Sequence, residues 1–340
     1  MVSLSPANLV INPPPNFISN PIPQNPFFFF TTPAPNNSPF LKSKFSSISC
    51  LPKSNATTSS THDLHPNNQK QDQEEEEEFQ VVTAVRSKYN DIVIVDTPKS
   101  RMLLLDSTHN VHSILNKGLQ KWTGSYWDEF ASLPAIVPKG PIAIYGLGGG
   151  TAAHLMLDLW PSLQLEGWEI DNILIDKARD YLGLSDLEKH TQDGGILHVR
   201  IGDVLSPSEN VSGKYAGIVI DLFSEGKVLA ELQEVETWLK LNDRLMPDGR
   251  FMVNCGGIGR ESAETIHSKS MDDAWIQNST IKALMEAFPG KVGWKRMPER
   301  NGENFLALTG PLPDLTIWSS IVPGHLSENV KKWKLCESSS

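Results

Sequence analysis

Ile142-Ala143-Ile144-Tyr145-Gly146-Leu147-Gly148-Gly149-Gly150 decides the fold of this chain. Four apolar residues in a row read as a strand buried on both faces, the kind found inside a parallel sheet. The glycines follow at once, and Thr151 to Trp160 then reads as a helix that Pro161 closes. Strand, glycine turn and helix is the setting in which glycine loops bind nucleotides: without side chains the backbone can turn sharply and approach a ligand. The helix N-terminus offers unpaired N–H groups to polar ligand atoms.

Carboxylates recur downstream at strand ends. Leu165 to Ile170 reads as a second strand, with Glu169 near its end and 19 residues beyond Gly150. A carboxylate about 20 residues past such a loop can accept hydrogen bonds from ribose hydroxyls. Asp171 competes for this role, although it also suits the N-cap of a helix over Asn172 to Leu182. Ile196 to Ile201 ends in Gly202-Asp203, and Gly217 to Ile220 ends in Asp221. Acidic residues just past parallel strands project into the ligand crevice of an open α/β sheet. Asp203 is therefore a candidate for an adenine amino group, and Asp221 for the reacting end of the ligand.

The remaining pattern continues strand and helix. A helix is expected over Val228 to Leu245, stopped by Pro247-Asp248-Gly249, then a strand over Arg250 to Asn254. A helix over Asp272 to Phe288 and strands over Lys291 to Met297 and Asn304 to Thr309 complete a mainly parallel α/β sheet. Ahead of the core, Gln80 to Ala84, Ile92 to Asp96 and Met102 to Leu105 read as short antiparallel strands around the turn Thr97 to Ser100. Tyr126, Trp127, Phe130 and Leu133 recur at helical spacing within Gly124 to Leu133.

The first eighty residues read differently. No Asp or Glu occurs before Asp63 and no Arg before Arg86, in a stretch rich in Ser and Pro. Such a segment buries too little apolar surface to fold, and an acid-free, Ser-rich leader is typical of organelle transit peptides. Ile48-Ser49-Cys50 before Leu51 resembles a chloroplast processing site. The expected organisation is a transit peptide over 1–50, an acidic linker over 51–78 ending in Glu74 to Glu78, and a small β domain over 79–123. A nucleoside-binding domain over 124–310 and a C-terminal tail over 311–340 follow. The chloroplast stroma is the expected compartment.

Composition narrows the function. A formal charge of −10 with no basic patch disfavours nucleic acid. No apolar run approaches the roughly 18 residues of a membrane span. The three cysteines lack metal-ligand spacing, and His109 and His112 have no carboxylate or cysteine spaced to complete a site, so no metal is expected. A small-molecule acceptor is the expected partner.

Together these motifs resemble the spermidine synthase-like branch of the S-adenosylmethionine-dependent transferases. The resemblance runs from about Ser87 to Thr309. It rests on Ser87 to Ile92, Leu103 to Asp106, Tyr126-Trp127-Asp128, Gly146 to Gly150, Glu169-Ile170-Asp171, Gly202-Asp203 and Val219-Ile220-Asp221. It implies a Rossmann-like class I methyltransferase fold with a seven-stranded, mainly parallel sheet and a small N-terminal β domain. It also implies a homodimer and an adenosyl ligand: S-adenosylmethionine, its decarboxylated form or methylthioadenosine.

Carried over by position, Gly146, Gly148, Gly150, Glu169 and Asp203 bind the nucleoside and Asp221 is the catalytic carboxylate. Asn90, Tyr126, Asp128, Ser224 and Glu225 fall where the acceptor binds. The chain departs from the polyamine synthases at Gly149 and Ser224, where they have Asp, at Trp127, where they have His, and at Asn90, a shorter amide than theirs. Methyl transfer is therefore the first expectation. Non-catalytic nucleoside or partner binding is the alternative, and aminopropyl transfer to a polyamine the third.

Overall fold

The computed structural model describes residues 79–106, 110–206, 214–257, 271–299 and 302–337. The expected transit peptide and linker, and His109, lie outside the described residues. Four strands, β1 (Gln80–Arg86), β2 (Asp91–Asp96), β3 (Ser100–Leu104) and β4 (Ser113–Asn116), form an antiparallel sheet in sequential order. The fourth was not expected, because Ser113-Ile114-Leu115-Asn116 is short and its alternation is weak. A short helix, α1 (Tyr126–Phe130), and a 3₁₀ turn over Leu133–Ile136 connect this sheet to the core. The expected helix thus ends early: Pro134 occupies the first turn of the 3₁₀ segment, where its missing N–H costs nothing.

The large sheet is built on β5 (Ile142–Tyr145), β6 (Gln164–Glu169), β7 (Ile196–Ile201), β8 (Tyr215–Ile220), β11 (Leu245–Asn254), β12 (Val292–Glu299) and β13 (Gly302–Thr309). A two-residue edge strand, β14 (Lys334–Leu335), brings it to eight, in the order β14-β12-β13-β11-β8-β5-β6-β7. β7, β6, β5, β8 and β11 are mutually parallel, whereas β13 lies antiparallel to both β11 and β12. Every residue of β5 and β8 is buried, as their unbroken apolar sequences require of central strands. Helices α2 (Thr151–Leu159), α3 (Asn172–Tyr181) and α4 (Leu184–Leu187) follow β5 and β6. The sheet order reverses between β5 and β8, so the ends of these two strands flank the ligand crevice of such a fold.

Three expectations are corrected. Val228 to Leu245 is not one helix. The hairpin β9 (Phe223–Ser224) and β10 (Lys227–Val228) precedes a 3₁₀ turn over Ala230–Gln233, and α5 spans only Val235–Asn242. Glu225 and Gly226 both take positive φ, 51° and 72°, the two-residue turn that a hairpin favours. Pro247-Asp248-Gly249 is not a stop but a register shift inside β11, with Asp248 at φ 62°. Asp272 to Phe288 divides at Asn278, whose side chain accepts from Ile281 N–H at 3.1 Å and caps α6 (Ser279–Ala287).

The stretch 311–337 is more than a tail. It holds α7 (Leu315–Ile321), capped by Asp314, and α8 (Gly324–Val330). Trp318, Leu326, Val330 and Trp333 join the main core, and the Trp318 indole donates to Ser132 carbonyl at 3.2 Å. Leu315, Trp318, Val322, Leu326 and Val330 recur every three or four residues, an amphipathic signal that Pro323 interrupts. No helix among the described residues is long and apolar enough to cross a membrane.

Candidate active site

The glycine loop is shaped by the protein around it. Gly146, Gly148 and Gly150 take φ of 84°, 54° and 88°, which residues with a side chain rarely adopt. A Cβ at Gly146 would stand 2.2 Å from the Asp221 carbonyl oxygen, so the loop and the end of β8 nearly touch. At Gly149 a Cβ would meet Leu182 Cδ1 at 2.5 Å and Ser113 Cβ at 2.8 Å. The loop N–H groups are also engaged. Those of Gly146 and Leu147 donate to the Trp168 carbonyl, that of Gly149 to Ser113 Oγ at 2.8 Å, and that of Gly148 to Glu169 Oε2 at 3.0 Å. The N-terminus of α2, beyond Gly150, has no side-chain cap.

Glu169 therefore holds the loop as well as closing β6. Its Oε1 accepts from Ile170 N–H at 3.0 Å and Asp171 N–H at 3.2 Å. Two carboxylate oxygens offer about four lone-pair sites, so three donors leave one, on Oε2. A hydroxyl could occupy it directly, and a second would displace the long bond from Asp171. Burial pushes the Glu169 carboxyl above its ordinary value, against the pull of the three N–H donors.

Asp171, the competing carboxylate, is fully buried and already committed. Its Oδ1 caps α3 by accepting from Ile173 and Leu174 N–H, while Oδ2 accepts from Asn90 Nδ2 at 2.8 Å and from the Ser87 hydroxyl. Asn90, expected at the acceptor, is thus a tie between the N-terminal sheet and the core.

Asp221 stands at the end of β8. Its N–H donates to the Tyr145 carbonyl at 2.9 Å, and its Oδ1 accepts from Asn254 Nδ2 at 3.0 Å. Asp221, Gly146, Thr151, His112, Trp127 and Phe130 line a cavity of about 10 Å³, room for roughly one water. Trp127 reaches it from α1, packed against Tyr126 with ring centroids 4.8 Å apart. A hollow of about 400 Å³ beside α6, lined by Lys282, Glu286 and Cys336, shares no residue with this cluster.

The other expected residues lie as follows. Asp203 is exposed and turns the chain after β7, its Oδ1 accepting from Leu205 N–H at 3.0 Å. Ser224 and Glu225 are exposed on the β9–β10 hairpin. Asp128 is buried and accepts from Thr123 N–H and Oγ1 and from Gly124 N–H at 3.0, 2.7 and 2.9 Å, with His325 Nε2 at 3.3 Å. A carboxylate with four such contacts is a bracket for the start of α1 and has little left for an acceptor cation. Among the described residues, no three His, Cys, Asp or Glu side chains are grouped to hold a metal.

Several residues here were not anticipated. Asn254 ends β11 one strand from Asp221, a juxtaposition that only the strand order creates. Glu129 and Lys295 form a buried ion pair, 2.6 Å apart, between α1 and β12. Burial pushes Glu129 up and Lys295 down, each toward neutrality. Lys295 Nζ also donates to the Asn329 carbonyl at 2.8 Å, so the pair fastens the C-terminal helices to α1.

No family model matches the chain. A probable polyamine aminopropyl transferase of Bifidobacterium longum (strain NCC 2705) is 26% identical over 219 residues, covering 60% of this chain. The match spans 46% of that protein, so the chain spans about half the length of the curated relative. A spermidine synthase solved in complex with the transition-state analogue AdoDATO superimposes with a TM-score of 0.50 at 17% identity, over 68% of this chain and 73% of that one. A probable spermidine synthase from Corynebacterium glutamicum ATCC 13032 gives 0.48 at 15% identity, over 67% and 79%. The architecture is an α/β Rossmann-like fold with an N-terminal β sheet. The fold is similar to that of the spermidine synthase solved with AdoDATO.

Proposed function

We propose that the chain is a transferase that binds an adenosyl sulfonium donor and passes a group, most simply methyl, to a small acceptor. The carrying observation is the contact between Glu169 and the Gly148 N–H, which sets a carboxylate with a spare acceptor site beside the glycine loop. The loop, Glu169 and Asp203 would hold the nucleoside, and Asp221, across Gly146, would orient or deprotonate the acceptor. The donor supplies a carbon made electrophilic by its sulfonium. The protein's part is placement, which can lower such a barrier substantially. The AdoDATO complex of the related fold supports an adenosyl ligand here.

Aminopropyl transfer to a polyamine is the second reading, favoured by the description of the curated relative. Against it stand the commitment of Asp128 and the exposed positions of Ser224 and Glu225. A diamine needs carboxylates at both ammonium groups, because an unpaired buried charge is costly. Non-catalytic nucleoside binding is the reading left if no transfer occurs. An acceptor screen with labelled S-adenosylmethionine and labelled decarboxylated S-adenosylmethionine separates the three. Efficient spermidine formation from putrescine would reverse the first two. We further propose import into plastids and homodimerisation, checked by imaging a fusion of residues 1–80 and by sedimentation.

A further inference from the structure

We propose that His112, with Asp106 behind it as a positioning residue, takes the proton released by the acceptor during transfer. This rests on the transfer reading above. His112 is held from both sides: its N–H donates to the Leu103 carbonyl at 2.8 Å, and its own carbonyl accepts from Ser113 Oγ at 2.6 Å. The same Ser113 hydroxyl accepts from Gly149 N–H, which couples this segment to the glycine loop. The imidazole Nε2 is closed to solvent and has no hydrogen-bond partner among the described residues. Asp106 Oδ2 stands 3.5 Å from it, near enough for attraction and too far for a full hydrogen bond.

The nitrogen facing Asp106 carries the neutral ring's hydrogen, so the lone pair that can take a proton is on the other ring nitrogen, Nδ1. His112 lines the cavity that Asp221, Gly146 and Trp127 enclose. The charged groups facing it are Asp106 from the connection after β3 and Asp221 across the cavity. Burial holds its pKa below 6.5, with Asp106 pulling the other way, so the ring is neutral at neutral pH and has a lone pair to accept a proton.

The step balances without a further reactant. The acceptor heteroatom attacks the carbon bonded to sulfonium, the new bond forms as the carbon–sulfur bond breaks, and that electron pair stays on sulfur as a neutral thioether. The acceptor's proton passes to the imidazole, and Asp106 stabilises the imidazolium. Asp221 then orients the acceptor, and the proton goes to His112.

Two measurements on the full chain test this. In ¹³C-labelled protein, the His112 Cε1 signal, assigned by its loss in His112→Gln, should shift its titration midpoint when S-adenosylhomocysteine binds. With an acceptor from the screen, kcat/KM should fall on the acid side with a midpoint below 6.5. His112→Gln should abolish that limb and lower kcat by roughly 10²–10⁴-fold with little change in donor affinity. Asp106→Asn should move the limb to lower pH. If the nucleoside binds but the signal does not move and His112→Gln keeps the limb, the His112 role is overturned and the transfer reading stands. If no adenosyl compound binds, both fall together.

Discussion

Asn254 Nδ2 donates to Asp221 Oδ1 at 3.0 Å, so the residue ending β11 orients the carboxylate ending β8. Asp221→Asn can keep this bond by presenting its amide oxygen, and the fold should therefore survive. The change removes the negative charge from the acceptor side of the cavity. Turnover is expected to fall by at least tenfold while donor affinity stays within about threefold, a loss confined to the transition state. Steady-state kinetics beside calorimetry checks this, and a folded variant with unchanged turnover would exclude Asp221 from the reaction.

Gly149 explains a departure from the polyamine synthases in steric terms. A side chain there must displace Leu182 and Ser113, whose atoms would lie 2.5 and 2.8 Å from its Cβ. Gly149→Asp is expected to lower stability by about 1–3 kcal/mol, the usual range for overpacking, and not to create spermidine synthase activity. Thermal melting and a putrescine assay report both effects, and a variant as stable as wild type would contradict the packing argument.

The buried pair Glu129–Lys295 should behave as a unit. Lys295→Met leaves a carboxyl uncompensated in the core, and is expected to cost about 3–5 kcal/mol. Adding Glu129→Gln should recover a large part of that loss. A double-mutant cycle by denaturant unfolding measures the coupling, and simple additivity would show that the two residues act independently.

The sequence made the central strands legible and the C-terminal third less so. Ile142 to Tyr145 and Tyr215 to Ile220 are apolar without interruption, and such runs have one comfortable place in an α/β protein, the middle of the sheet. Glu169 and Asp221 were read as strand-end carboxylates, and the structure places Glu169 at the end of β6 and Asp221 just past β8. What eluded sequence reading depends on pairing across distance. Nothing local distinguishes Asn90 as a partner of Asp171, or Asp128 as a bracket for Thr123 and Gly124, from residues facing an acceptor. The β9–β10 hairpin was missed because Glu225 tolerates an unusual positive φ, and α7 and α8 because Pro323 breaks their shared apolar stripe.

Acid should destabilise the protein through its buried histidines. The His154 ring, bonded through Nε2 to the Leu182 carbonyl at 2.9 Å, and His112 both have pKa values lowered by burial below 6.5. The unfolded chain then binds more protons than the folded one, from about the unfolded value down to the folded one, so stability falls as pH drops through this window. Glu129 and Glu169, whose pKa values are raised, act in the opposite sense, so the difference between variants is the informative quantity. His154→Gln keeps a donor for Leu182 and should show a smaller drop in Tm between pH 7 and 5 than wild type. Parallel slopes would rule out His154 as a source.

The central claim is that Glu169 and the glycine loop form an adenosyl site, and titration calorimetry tests it directly. Wild-type protein is titrated with S-adenosylmethionine, its decarboxylated form, methylthioadenosine and NADH, and Glu169→Ala with the same set. Removing charge-assisted hydrogen bonds worth roughly 1.5–3 kcal/mol should weaken adenosyl binding more than tenfold. Because both Glu169 oxygens accept backbone N–H groups, Glu169→Gln gives up one of those bonds as well as the charge, so thermal melting of both variants is read beside the binding data to separate lost affinity from lost folding. The expected result is saturable binding of at least one adenosyl sulfonium compound or its thioether product to wild type, weakened in both variants. Binding of NADH together with indifference to every adenosyl compound would contradict the account.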